Sequence, residues 1–318
     1  MELKICHKIA FLFPGQGSQV LGMGKDFFEN FKESALVFEE ASDTALLNFK
    51  KLCFDGPFDE LTLTENLQPA LFTVEASLLA AVRAHCEVLP FVCAGHSLGE
   101  YSALYAVGSL SLKDGVKLTK LRGKAMQNAV AKGQGTMAAI LGLDPETIKQ
   151  LCKKAFELTN GQVVEPANFN APGQVVISGT VDGVSKACEL LKSEEFKGAK
   201  SIPLSVSAPF HCSLMRPAQK EMEKPLSDTG FLKPTCPVIP NCLAKPVRNE
   251  VEFPGLLLDQ IVRPVLWEQS MQVLPLLQIE KVFEIGPGKV LAGLHKRNIS
   301  QIPIFNISTV KQMQEFLK

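Results

Sequence analysis

The sequence predicts an α/β protein organised around a mainly parallel sheet. Strand-like and helix-like segments alternate along the chain, the rhythm of β-α crossovers. Two strand-like runs end in glycine turns that open straight into helices, at Leu89–Gly99 and Lys281–Leu294. Between Thr136 and Ser205 the order is β-α-β-β-α-β, the ferredoxin-like unit. A length of 318 residues suits one large domain, or a main domain with a smaller one. The boundaries that follow are 1–135 and 206–318 for the main body and 136–205 for an inserted small subdomain.

Each element has a local reason. Lys8 to Phe13 is apolar after its first residue and reads as a strand, and Pro14-Gly15-Gln16-Gly17-Ser18-Gln19 ends it in a tight loop. Helical patterns follow around Lys25–Phe28 and Ser34–Ala41. Leu67 to His85 reads as a long buried helix leading to a short strand, Leu89 to Ala94. Leu98 to Val107 has good helix formers and no proline, and Leu112 to Ala131 is a second helix. The small subdomain opens with the strand TMAAILGL and the capped amphipathic helix DPETIKQLCKKAFEL. The strands QVVEPANFN and QVVISGT, the helix VDGVSKACELLKS and the strand AKSIPLS complete it.

Composition excludes several function classes. The chain is 46% hydrophobic and 21% charged, ordinary for a globular protein. Lys+Arg and Asp+Glu both number 33, which argues against a nucleic-acid binder held by bulk charge. No apolar run approaches a membrane span, and the first eight residues lack the apolar core of a signal peptide. The nine cysteines are scattered, odd in number and without a C-x-x-C pair. That usage suits reduced, buried thiols in a cytoplasm, with no disulfide frame and no zinc site. Cys212, beside His211, reads as a small buried hydrophobe.

Gly95-His96-Ser97-Leu98-Gly99 is a G-x-S-x-G between a strand and a helix. In a nucleophile elbow the serine takes a strained conformation at the turn, and the flanking glycines leave room for neighbouring backbone. The plainer alternative is a glycine-rich turn with a serine helix cap. A reactive serine needs a base, and histidine titrates in the right range. His7 lies near the terminus, and His85 ends a helix, in solvent. His96 adjoins the serine but points away from it, and His295 lies in a polar helix end. His211, in SVSAPFHCSLM, is the candidate, on a loop that returns from the subdomain and can overhang a site; a satisfied histidine at a helix start is the alternative. No Asp or Glu stands at an obvious place to orient it; a backbone or amide carbonyl could hold the Nδ1 proton instead. The Leu98 amide, at a helix start, is one natural oxyanion donor, and the loop Pro14–Gly17 can supply the second. Arg122, on the second helix, has the fork to hold a carboxylate, unless it is a solvated surface residue.

Taken together, the chain resembles the bacterial-type malonyl-CoA:acyl carrier protein transacylases of fatty acid synthesis over nearly its whole length. The likeness rests on FPGQGSQ (Phe13–Gln19), GHSLGEYSAL (Gly95–Leu104), KLRGKAMQ (Lys120–Gln127) and NFNAPGQVVISG (Asn168–Gly179). PFHCSLM (Pro209–Met215), QIVRPVLW (Gln260–Trp267) and EIGPGKVLAGL (Glu284–Leu294) complete the ordered set. The resemblance implies an α/β-hydrolase-like body with the ferredoxin-like insert. It implies Ser97 as nucleophile, His211 as base and acid, and the Gln260 main-chain carbonyl as the group orienting the histidine. It assigns the oxyanion hole to the Gln16 and Leu98 amides and the malonyl carboxylate to Arg122, with Asn170 near the substrate. Phe210 would fill the space of a 2-methyl group and favour malonyl over methylmalonyl substrates. The implied partners are malonyl-CoA and holo acyl carrier protein, with no metal or redox cofactor, no nucleic acid and no membrane, in a cytoplasmic monomer.

Rival readings remain at this level. A thioesterase or esterase would use the same serine, but such enzymes ordinarily carry an acid between serine and histidine. A stand-alone acyltransferase serving a polyketide assembly line would run identical chemistry on another carrier. A non-catalytic scaffold would be expected to have lost the serine or histidine. Gly286-Pro287-Gly288-Lys289 resembles a phosphate cradle but lacks the P-loop pattern, so a structural turn is expected. Lys117, Lys120, Lys124, Lys296 and Arg297 form a candidate patch for an acidic carrier protein, or merely solvated helix faces.

Overall fold

The computed structural model describes residues 8–85, 88–206 and 208–316. Nine strands are present among them: β1 (Ile9–Phe13), β2 (Val92–Gly95), β3 (Gly135–Leu141), β4 (Val164–Ala171), β5 (Gln174–Thr180), β6 (Lys200–Pro203), β7 (Val238–Ile239), β8 (Lys281–Ile285) and β9 (Ile304–Ile307). They form two sheets. The first has the order β7-β2-β1-β8-β9, and every pairing in it is parallel. The second has the order β4-β5-β3-β6, and every pairing in it is antiparallel.

The parallel sheet is buried on both faces, which is why its central strands read as continuous apolar runs. Ile9, Phe11 and Phe13 of β1 join one core, against the helices Thr64–His85 and Leu112–Asn128. Ala10 and Leu12 join a second, against the helices Trp267–Leu276 and Val290–Asn298. The side-chain period of two divides one strand between two layers.

The antiparallel sheet divides in the same way. Ala138 and Ile140 of β3 and Val175 and Ile177 of β5 face the helices Pro145–Leu158 and Val181–Leu190. Met137, Ala139 and Val176 face the core of the main body. The small sheet meets the main body where Val265, between the helices Phe253–Val262 and Trp267–Leu276, pairs with β4: its amide donates to Ala167 O and its carbonyl accepts from Phe169 N, both at 2.9 Å. Asp144 caps the first small-sheet helix by accepting from the amides of Glu146 and Thr147, each at 3.0 Å.

Most element boundaries lie within a few residues of those read from sequence. The strand before Ser97 starts at Val92 rather than Leu89, because Leu89 is solvent-exposed and Pro90 lacks the amide that a ladder uses. β7, β9 and the helices Arg216–Asp228, Phe253–Val262 and Trp267–Leu276 were not anticipated. β7 has only two residues, too few for a period to show.

Candidate active site

The elbow is real in its geometry. β2 ends at Gly95, Ser97 takes φ 52°, and the helix Gly99–Ala106 begins two residues later. A Cβ on Gly95 would lie 1.9 Å from Gly99 backbone, and one on Gly99 would lie 2.1 Å from Phe13 O. Only glycine lets strand, turn and helix pass this closely. The Ser97 amide donates to Asn241 Oδ1 at 2.6 Å, and Asn241 Nδ2 donates to Gly95 O at 2.7 Å. Asn241 follows β7 and pins the left-handed turn from both sides. It carried no sequence signal, being one asparagine in a segment without periodicity.

Five segments remote in sequence bring the reactive groups together. His211 Nε2 lies 2.7 Å from Ser97 Oγ, and its Nδ1 lies 2.8 Å from Gln260 O. A carbonyl only accepts, so Nδ1 carries the proton and Nε2 accepts from the serine hydroxyl. His211 itself has φ 58°. Burial, with the Arg122 charge adding to it, pushes its pKa down to about 3. The imidazole is therefore neutral at pH 7 and free to take the serine proton. The neighbouring Cys212 donates its S–H to Pro209 O at 3.1 Å, and burial pushes that thiol up to about 11. It is an inert packing residue, as its sequence context indicated.

Arg122 is not a surface residue: it is fully buried. Nη1 donates to Gln68 Oε1 at 2.8 Å, and Nη2 donates to Gln260 Oε1 at 2.8 Å and to Ser97 Oγ at 3.1 Å. The guanidinium also lies over the Tyr101 ring, 5.6 Å from its centroid. Its hydrogen bonds among the described residues go to amides and a hydroxyl, none to a carboxylate, and Nε has no partner. A buried cation left in that state has the capacity to pair with an anion. Burial pushes the Glu100 carboxyl up to about 7, against the pull of the Asn241 amide, Gln260 and Arg122.

The cavity over Ser97 holds about 100 Å³ and is lined by Gln16, Leu98, Arg122, Asn168, Phe210 and His211, with Met126 and Met137 among the apolar residues. A water needs roughly 10–15 Å³ of such space, so the cavity suits a few-atom group and not a long chain. Among the described residues neither the Gln16 nor the Leu98 amide donates to another group. The Ser97 amide is already taken by Asn241.

Asn170 is placed differently from expectation. Its Oδ1 meets His96 Nε2 at 2.9 Å, and Asn168, two residues earlier on β4, lines the cavity instead. His96 is thereby held against Trp267, ring centroids 5.4 Å apart, and is not the base. His85 lies at a helix end, partly exposed, with Glu33 3.7 Å away. His295 corrects the expectation of a polar helix end: it is fully buried, with Nε2 2.7 Å from Ile302 O. Its charged neighbours Lys296 and Arg297 had masked an inward-facing position. His7 lies outside the described residues.

The second glycine turn is filled. Glu284 accepts from the amides of Leu291 and Ala292 at 2.9 and 2.8 Å and from Asn306 Nδ2 at 2.6 Å. The start of this helix holds a carboxylate of its own and is a structural turn. In the basic patch, Lys120 Nζ donates to Ala45 O and Arg297 Nη1 to Gln174 Oε1, each at 2.5 Å. No group of His, Cys, Asp and Glu among the described residues has the arrangement to hold a metal ion.

A serine hydroxyl bonded to a carbonyl-held histidine, two amides that donate to no other group and a buried guanidinium thus converge on one cavity. Comparison with known proteins identifies the family. The acyl transferase domain family matches residues 10–314. The malonyl CoA-acyl carrier protein transacylase of Bacillus subtilis is 43% identical over 314 residues, 98% of each chain. The one of Escherichia coli K12 is 41% identical over 295 residues, 93% of this chain and 94% of its own. The solved transacylase from Coxiella burnetii has a TM-score of 0.94 at 35% identity, covering 99% of this chain and 98% of that one. A malonyl-transacylase solved with its type II PKS acyl-carrier protein has a TM-score of 0.92 at 37% identity, covering 96% and 98%. The chain belongs to the acyl transferase domain family.

Proposed function

We propose that the chain moves a malonyl group from malonyl-CoA to the phosphopantetheine thiol of acyl carrier protein, through a malonyl ester of Ser97. The observation that carries this is Arg122: a fully buried guanidinium with one nitrogen 3.1 Å from the nucleophile and no carboxylate partner. The free carboxylate of a malonyl group supplies that missing charge, and an acetyl group does not.

The chemistry then follows from the geometry. His211 Nε2 takes the Ser97 proton as Oγ attacks the thioester carbonyl. The Gln16 and Leu98 amides hold the oxyanion. As the intermediate collapses the C–S bond breaks, and His211 Nε2 returns the proton to the departing CoA sulfur. The carrier thiol enters, gives its proton to His211, attacks the ester carbonyl, and Ser97 leaves with the proton back on Oγ. Gln260 O accepts from the Nδ1 proton throughout and steadies the imidazolium formed at each stage.

Phe210 borders the cavity and would crowd a 2-methyl branch on the acyl group. The strand order of the small sheet and its two helices support the ferredoxin-like reading of residues 136–205. The parallel sheet with its serine elbow supports the hydrolase-like reading of 1–135 and 206–318. The same proposal takes the protein as a cytoplasmic monomer; no helix among the described residues is long and apolar enough to cross a membrane. A polyketide carrier is the second reading of the acceptor, favoured by the likeness to the malonyl-transacylase solved on such a carrier.

Intact-protein mass after brief exposure to malonyl-CoA tests the whole scheme. The wild type should gain one malonyl group, Ser97→Ala none, and added holo carrier protein should clear it. Methylmalonyl-CoA should load roughly tenfold more slowly, the discrimination one methyl commonly allows. An adduct that water clears as fast as the carrier thiol does would make the protein a thioesterase.

A further inference from the structure

One side chain joins the base to the guanidinium. Gln260, fully buried near the end of the helix Phe253–Val262, holds His211 through its main chain and Arg122 through its side chain. Its Nε2 donates to Glu100 Oε2 at 2.7 Å and to Ser97 O at 2.9 Å. Both partners are acceptors, so the amide nitrogen must face them. Its Oε1 is thereby turned to the other side, where it accepts from Arg122 Nη2 at 2.8 Å. A flipped amide would set its NH₂ against the guanidinium, donor against donor.

Glu100 therefore fixes the sense of this amide. It sits in the first turn of the elbow helix, is 1% exposed, and its Oε2 also accepts from the Asn241 amide at 2.9 Å. Asn241 in turn holds the Ser97 amide. The carboxylate stands one amide away from Arg122, near enough to order the cation but not paired with it, so the guanidinium keeps its capacity for a second anion.

We propose that Glu100 is a positioning residue for substrate selection: by fixing the Gln260 side chain it aims Arg122 Nη2 at the acyl group carried on Ser97. The inference rests on the malonyl reading above and deepens it. The substrate class it serves is an acyl thioester ending in a carboxylate. Neutral acyl groups use the serine, histidine and oxyanion amides but make no demand on this chain of bonds.

The test compares ester formation from malonyl-CoA and acetyl-CoA, by intact mass in single turnover, for wild type, Glu100→Met and Glu100→Asp. A Met at 100 keeps the bulk and removes the acceptor that holds the Gln260 NH₂, so the amide loses its fixed sense. The malonyl-to-acetyl rate ratio should fall roughly tenfold or more in Glu100→Met, carried by a raised malonyl KM. Glu100→Asp keeps the charge and should recover part of the ratio. Should Glu100→Met not fold, Glu100→Asp carries the test: a carboxylate one methylene short loosens the hold on Gln260 and should lower the ratio, by less. An equal loss for both donors, or an unchanged ratio, overturns the inference alone. A wild type with no preference for malonyl overturns the malonyl reading and this inference with it.

Discussion

Two strand-to-helix turns flank β1 in the parallel sheet, and only the first carries a serine bonded to a histidine. At the first, β2 passes through Gly95 and Gly99 into a helix whose leading amide, on Leu98, is free. At the second, β8 passes through Gly286 and Gly288 into a helix whose leading amides are filled by Glu284. The two are alike in sequence: apolar strand, paired glycines, helix. The helix dipole and open amides of either would attract negative charge. The difference is what occupies them. A turn that supplies its own carboxylate is scaffold; a turn that leaves its amides open and adds a nucleophile is a site.

The second turn also touches the loop after β1. A Cβ on Gly286 would lie 2.6 Å from Pro14 Cγ, and one on Gly288 would lie 2.9 Å from Ser18 O. The filled turn thus braces the loop that carries Gln16. The scaffold turn shapes the site at one remove.

His211→Ala should break the reactive side of this comparison most severely. Ester formation from malonyl-CoA should drop on the order of 10⁴-fold, in a variant that stays folded at 25 °C by circular dichroism. A variant that keeps within tenfold of the wild-type rate would mean that another group is the base. Glu284→Ala attacks the other turn. It leaves two buried amides and one Asn306 donor without an acceptor, so the fold should lose about 2 kcal/mol by denaturant titration. Its ester formation at 25 °C should stay within roughly threefold of wild type. A rate that collapses while the fold survives would erase the distinction between the turns.

The smallest effect concerns pH. His211 titrates at about 3 in the fold against 6.5 when free. Above 6.5 both states hold the imidazole neutral. Between 6.5 and 3 the unfolded chain binds the proton that the native state refuses, so this group makes stability decline as pH falls through that window. Ester formation from acetyl-CoA, which makes no demand on Glu100, should nonetheless vary less than about twofold between pH 8 and 5, measured in single turnover, because the base stays unprotonated. A rate that halves near pH 6.5 would place an ordinary, solvated histidine in the role.

Much of this was legible in the chain. The elbow shows because its requirements are local: two glycines and a serine at fixed spacing, with a strand before and a helix after. The small sheet shows because its helices are amphipathic and its strands are separated by turn residues. Arg122 shows as a residue type but not as a buried one. The helix Leu112–Asn128 packs against the helix Thr64–His85 and its Arg122 lines the cavity, and a lysine-rich sequence conceals that. Asn241, Gln68 and the Glu100–Gln260 bond are invisible in one dimension, since they exist only when five segments converge. Asn170 was displaced by Asn168 because alternate residues of one strand share a face, and spacing alone does not say which reaches the cavity.

Ser97 and His211 both sit at left-handed φ, 52° and 58°, where a side chain is strained by about 1 kcal/mol and glycine is not. Drift toward a sturdier molecule therefore runs through the loss of the two groups that react. A lineage released from the need to transfer acyl groups would be expected to place glycine at these two positions early.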